Sequence, residues 1–217
     1  VQKLFDQSQP YGISCLALLV YFFHKEWYLL IMEKVVCDSH DINLTSIKEG
    51  ETTSFKLQFE VKNPSYNLYN AVGFKLFQLL GELNKDTISE TYMDSYNDTS
   101  TNVKTGICFK QIGKDFGITQ KYIFSKIEKT TIDDNHFKFV LNQIDKPHNI
   151  IVPKNSESVI RSNSMLDVKI HNKHSATFVY CFSIDFDEDL PIYLDNMPGM
   201  LMKKIFYRLK IFLDTIT

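Results

Sequence analysis

Four cysteines, two closely spaced histidines and one run of carboxylates are the residues of this 217-residue sequence whose types suit catalysis or metal binding. Cys15, Cys37, Cys108 and Cys181 contain no Cys-x-x-Cys pair, so their spacing supports neither a zinc ribbon nor a disulfide-dense scaffold. Free thiols in a reducing compartment are the simpler reading. His171 and His174 would point to opposite faces of a strand and so would not converge on one metal. Asp185, Asp187, Glu188 and Asp189 offer oxygen ligands for Ca²⁺, but they lack the glycine and ordered spacing of the helical calcium loop, and a solvated strand end accounts for them. Cys181 follows His174, yet its neighbours Tyr180 and Phe182 point to burial of a small, soft side chain. No G-x-S-x-G, P-loop, G-x-G-x-x-G or H-E-x-x-H motif occurs. The expectation is a protein that is not an enzyme and uses no cofactor or metal.

A second kind of chemistry is carried by the tail. Met202, Ile205, Phe206, Leu209, Phe212 and Leu213 recur at helical spacing, and Lys203, Lys204, Arg208 and Lys210 add positive charge, so the spacing predicts a basic amphipathic helix over 200–213. Such a helix docks its apolar stripe on the body of the protein, lies on an anionic membrane or a partner, or leads into a further segment. In the contact reading, the residues in play are Lys203, Lys204, Phe206, Arg208 and Lys210. A net charge of -2 and a pI of ≈ 6.3 give no overall field for nucleic acid.

The elements that must hold these residues read as strands. Phe55, Leu57, Phe59 and Val61 alternate with Lys56, Gln58, Glu60 and Lys62, the period of a strand buried on one face. Asn63-Pro64-Ser65 breaks it, since Pro64 lacks a donor and holds Asn63 in extended geometry. Val72, Phe74 and Leu76 then predict a second strand over 72–80. The polar stretch 81–104 predicts a surface loop. Further strands are expected over 107–109, 121–127, 137–144, 165–170, 178–182 and 190–194. Aromatic content of 13%, with Phe 17 and Tyr 11, favours pleated sheet. Eight or nine strands with no helix between them predict an all-β, immunoglobulin-like sandwich over 35–197, with a basic amphipathic tail over 198–217.

Residues 1–34 form an apolar segment outside this pattern. His24-Lys25-Glu26 interrupts the apolar runs 13–23 and 27–32, which argues against a full membrane span. A signal-peptide core would need a basic leader and a cleavage pattern, and neither is evident. A buried strand or helix is the alternative, and Met32 is a candidate natural start, which would put the domain's beginning near Val35. Asn43-Leu44-Thr45 and Asn97-Asp98-Thr99 fit the glycosylation tripeptide, which matters only in a secreted chain.

The order of these features resembles the arrestin-like family, specifically its C-terminal β-sandwich domain. The strand 55–61 ending in Asn63-Pro64-Ser65 and the run ending at Gln78 are similar to that domain's strand ending in Asn-x-Ser and strand ending near Gln. A strand before Pro147, serines over 155–164, the strand 165–170 and a closing Leu190-Pro191-Ile192 follow in the same order. Asp167 and Lys169 leave no tyrosine in the strand 165–170, and no PPxY sequence is present. The resemblance implies a cytoplasmic, non-enzymatic adaptor or scaffold, membrane-associated through its tail, that takes membrane-protein cargo tails or trafficking machinery at strand edges and loops. It nominates no contact residues. The alternative is an extracellular or surface immunoglobulin-like structural or adhesion domain.

Overall fold

The computed structural model describes residues 33–50, 52–110, 118–185 and 194–217. The alternation around Phe55 forms a long strand, β3 (Thr52–Lys62), with Phe55, Leu57, Phe59 and Val61 buried on one face and Gln58 and Glu60 exposed on the other. The other strands are β1 (Lys34–Ser39), β2 (Ile42–Glu49), β4 (Ile88–Met93), β5 (Asn102–Phe109), β6 (Gln120–Asp133), β7 (His136–Gln143), β8 (Ser156–Ser158), β9 (Arg161–Asn172) and β10 (Ser175–Asp185). They make one sheet in the order β1-β2-β3-β10-β9-β7-β6-β5-β4, with β8 paired in parallel to β6 and all other neighbours antiparallel. After β3 the chain crosses to the far edge, and β4 to β10 meander back until β10 closes on β3.

Two helices cover the apolar face of this sheet: α1 (Lys75–Leu83) and α2 (Met197–Thr215). The two-sheet sandwich expected from the strand count is therefore corrected to a single large sheet with a C-terminal helix. Alternating strands need cover for one face, and here a helix supplies it in place of a second sheet. The strand expected over 72–80 is also corrected. Its apolar members satisfy both periods, and Leu76, Phe77 and Leu80 use the helical one, all three buried on one side of α1. The loop expected over 81–104 holds β4 and the start of β5; β4 hides Ile88 while Ser89, Glu90 and Thr91 stay exposed, so its sequence looks too polar to fold.

The tail is the helix its spacing predicts, and α2 lies along β2 and β3 and against α1. Phe206 is fully buried, with its ring 4.6 Å from that of Tyr180 and 6.1 Å from that of Phe59. Ile205, Leu209 and Leu213 are also buried, and each such side chain contributes about 1.5–3 kcal/mol. Gly199 sets how closely the helix start approaches the sheet: a Cβ there would sit 2.6 Å from the Phe55 ring and 3.3 Å from Leu44.

Asn63, the corner residue, fastens the other end of α2. Its Nδ2 donates to the carbonyls of Leu213 at 2.8 Å and Ile216 at 2.7 Å, and its Oδ1 accepts from the amides of Ser65 and Tyr66, both at 2.9 Å. Carbonyls at a helix C-terminus have no partner within the helix. A buried asparagine from the β3 corner supplies it.

Candidate functional site

The five tail residues expected to make outside contacts are placed as follows. Phe206 is in the core. Lys203 is buried and donates to Cys37 Sγ and Ser39 Oγ, each at 3.0 Å. Lys204 and Arg208 converge on Asp86, through Lys204 Nζ to Oδ2 at 2.9 Å and Arg208 Nη2 to Oδ2 at 2.8 Å, with Nη1 bonded to Oδ1. The Arg208 guanidinium and the Lys204 ammonium hold the Asp86 carboxyl well below the usual carboxylate range. Lys210 pairs with Asp214 at 2.6 Å. The charges of the tail thus fasten α2 to its own chain.

The residues first singled out for chemistry are dispersed. His171 bonds Thr177 Oγ1 at 2.8 Å, and His174 Nδ1 lies 2.9 Å from the Asn63 carbonyl, so both stitch loops and strands. Burial pushes the Cys181 thiol up, and the Cys108 thiol up to about 11. Among the described residues, no group of three or more His, Cys, Asp or Glu side chains is arranged to hold a metal ion. Cys15, Asp187, Glu188, Asp189 and the strand expected over 190–194, all but its last residue, lie outside the described residues.

What the fold does bring together is a polar row on the otherwise apolar inner face, the face toward α1 and α2. The registers Ile184↔Ser162, Ser125↔Gln143 and Thr105↔Ser125 set these side chains across β10, β9, β7, β6 and β5. The Gln143 Oε1 accepts from the Ser162 amide at 2.5 Å, which continues the row between β7 and β9. On one flank lie Phe182, Leu141 and Ile127; on the other lie Ile123 and Ile107, cross-strand partners. Ile107, Ile123, Leu141 and Ile184 are only partly buried, although each points to the inner face.

The polar groups of this row are unequally satisfied. Thr105 Oγ1 donates to the Tyr92 carbonyl at 3.0 Å, and Gln143 Nε2 donates to the Val159 carbonyl at 2.9 Å. Ser164, one row further in, hydrogen-bonds Tyr180, whose hydroxyl burial pushes up to about 12. Ser125 and Ser162 are buried at 5% and 7% exposure, and among the described residues neither hydroxyl has a partner. Buried hydroxyls without partners are uncommon and call for one. Further along the same face of β6, buried Lys121 bonds the Glu157 carboxylate at 3.1 Å; Thr119 and Lys121 hold that carboxyl below its ordinary value.

The inner face therefore offers apolar walls with two hydroxyls set among them, a lining suited to an amphipathic small molecule. The part under α2 is closed by the rings of Phe59, Tyr180 and Phe206, whereas Ile184, Leu141, Ile123 and Ile107 stay partly exposed. Two hollows on the other side of the sheet differ in kind. One, of ≈ 600 Å³, includes Asp38, Asp41 and Glu60; the other, of ≈ 450 Å³, runs over Val140, Met165 and Cys181. Both lie open to solvent; the second is lined by Phe55, Leu141, Ser164 and Phe182 as well, residues whose side chains belong to the inner face.

Composition did not reveal this row, but periodicity carried a trace of it. Ser125 interrupts the inward parity of Ile123 and Ile127, and Ser162 and Ser164 precede Leu166 on the same parity. A hydroxyl at an inward position of a clear strand is the only local signal.

No family model matches the sequence, and no curated protein matches it significantly. Solved structures do. The human StarD13 lipid transfer and protein localization domain is similar with a TM-score of 0.64 at 12% identity, over 92% of this chain and 98% of that one. A STAR-related lipid transfer protein from Xanthomonas axonopodis gives 0.66 at 8% identity, over 84% and 99%. Human StAR-related lipid transfer protein 5 gives 0.58 at 10%, over 93% and 95%. At these identities the likeness is one of fold. It corrects the arrestin-like resemblance: the sheet and its C-terminal helix are similar in fold to those of StAR-related lipid transfer domains. The cargo-adaptor and immunoglobulin-like adhesion readings, which rested on a two-sheet sandwich, fall with it.

Proposed function

We propose that the protein binds a single amphipathic lipid against the inner face of its sheet, with the lipid's polar group toward Ser125 and Ser162 and its apolar part along Leu141, Ile123 and Ile107. The observation that carries this reading is the pair of buried, unpartnered hydroxyls within a partly buried apolar wall. A lipid hydroxyl, carbonyl or carboxyl would satisfy them while its chain covers the isoleucines. Each CH₂ so buried is worth about 0.8 kcal/mol, enough for a long acyl chain or ring system to bind on apolar contact. The fold supports the reading, since solved structures similar to it carry lipid transfer in their names.

In this proposal the protein acts by binding and not by catalysis, and it works inside the cell. Support for the second point comes from the thiols: Cys37, Cys108 and Cys181 are free.

The test is uptake of a fluorescent acyl lipid from vesicles by the full chain. Ile107→Arg and Ile123→Arg should each abolish the blue shift that reports an apolar site, and Met165→Arg in the outer hollow should leave it unchanged. Loss of uptake in Met165→Arg with retention in the two inner variants would move the site to the outer face and overturn the proposal.

A further inference from the structure

Lys203 is 94% buried by its 6% exposure, yet it faces no carboxylate among the described residues. Its ammonium donates only to Cys37 Sγ and Ser39 Oγ, both at 3.0 Å, and Sγ and Oγ are themselves 3.4 Å apart. A buried cation is costly unless an anion or strong acceptors compensate it. Among the described residues, the one group in reach that can become an anion is the Cys37 thiol. The three residues come from two elements, the edge strand β1 and helix α2, so the arrangement is tertiary and not an accident of neighbours in sequence.

We infer that Cys37 is a thiolate held by Lys203 and is a site of covalent modification by hydroperoxides and soft electrophiles. The other titratable groups around it are few. Asp38, next in sequence, opposes the thiolate; His40, beyond Ser39, bonds Ser39 Oγ at 3.2 Å, and its ring lies tilted against that of Tyr207 of α2 with centroids 5.1 Å apart. Ser39 and Lys203 outweigh Asp38 and burial, and hold the thiol below its ordinary value. Cys37 is also partly exposed, whereas Cys108 is buried. A lowered thiol pKa and access together distinguish a reactive cysteine from a structural one.

The chemistry is a two-electron oxidation. The Cys37 thiolate attacks the distal oxygen of a hydroperoxide, an S–O bond forms, the O–O bond breaks, and the leaving hydroxide or alkoxide takes a proton from solvent. Sulfur is oxidised to the sulfenic acid and the peroxide is reduced to water or an alcohol. With an alkylating agent the thiolate displaces the leaving group directly.

The experiment is peptide-resolved mass spectrometry of the native full chain labelled briefly with iodoacetamide from pH 5 to 9.5, so that each cysteine gives its own curve. Cys37 should label with a midpoint below that of an ordinary thiol, and at neutral pH faster than Cys181, whose thiol burial pushes up. Hydrogen peroxide followed by dimedone should trap the sulfenic acid at Cys37 and leave Cys108 unmodified. Lys203→Met keeps the aliphatic stem and should move the Cys37 midpoint up to the ordinary range, with far-ultraviolet circular dichroism unchanged. A wild-type Cys37 midpoint at or above the ordinary thiol value would overturn the inference, and this readout stands even if the variant does not fold. A folded Lys203→Met protein with an unshifted midpoint would overturn it as well.

Discussion

Asn63 Nδ2 lies 2.8 Å from the carbonyl oxygen of Leu213, across 150 residues of sequence, and this contact fixes where the last turn of α2 meets the β3 corner. The same side chain receives two amides of its own corner, so a single buried residue closes two sets of backbone groups that would otherwise go unpaired. Replacing it leaves donors and acceptors buried without partners, which costs more than the bonds themselves contribute.

Asn63→Ala is therefore expected to lower stability by about 3 kcal/mol, from two lost donors and two orphaned amides. Urea unfolding with an unchanged m-value would show it. A loss under about 0.5 kcal/mol, the range of ordinary surface substitutions, would mean that α2 is held without this clamp.

Asp86 gives a pH dependence of known sign. Its carboxyl is depressed by Arg208 first and Lys204 second, so its contribution is present above the ordinary carboxylate range and is lost as pH falls through its folded value. Wild type should be more stable than Asp86→Asn at neutral pH, and the gap should close in acid. Because the side chain is 48% exposed, salt should shrink the gap too. A gap that stays constant from neutral pH into acid would show that the Asn variant acts through something other than this charge.

Ser125 separates binding from folding. Removing a buried hydroxyl with no partner relieves a desolvation cost, so Ser125→Ala should leave the ligand-free chain equally stable or more stable, by up to about 1 kcal/mol, while weakening lipid binding. Thermal unfolding with and without lipid would separate the two effects. Equal weakening of the free and lipid-bound protein would make Ser125 a structural residue only.

Much of this architecture was legible in local periodicity. The alternation of Phe55 to Val61 and of Phe178 to Phe182 gave the two strands that pair at the centre of the sheet, and the spacing of Met202 to Leu213 gave α2 with its buried stripe. Periodicity states which face of a strand is buried, but not what buries it, and the same strands serve a sandwich or a sheet wrapped on a helix. The run 72–80 failed for a related reason: a short apolar stretch fits both periods, and contact with α2 decided between them. The basic residues of the tail looked solvent-facing because their partners, Asp86 and Cys37, are more than a hundred residues away. The site was least legible of all. Ile107, Ile123 and Leu141 read as ordinary core positions, and only their partial burial in the fold sets them apart.

Lipid carried by the protein itself is the most direct measure of the central claim. After incubation with mixed phospholipid and neutral-lipid vesicles and re-isolation, the intact chain examined by native mass spectrometry should show one added lipid mass per chain. Ile123→Arg should show none while unfolding at a similar urea concentration. A folded wild-type chain that emerges from the vesicles with no bound lipid, or that carries the same lipid in both proteins, would contradict an inner-face lipid site.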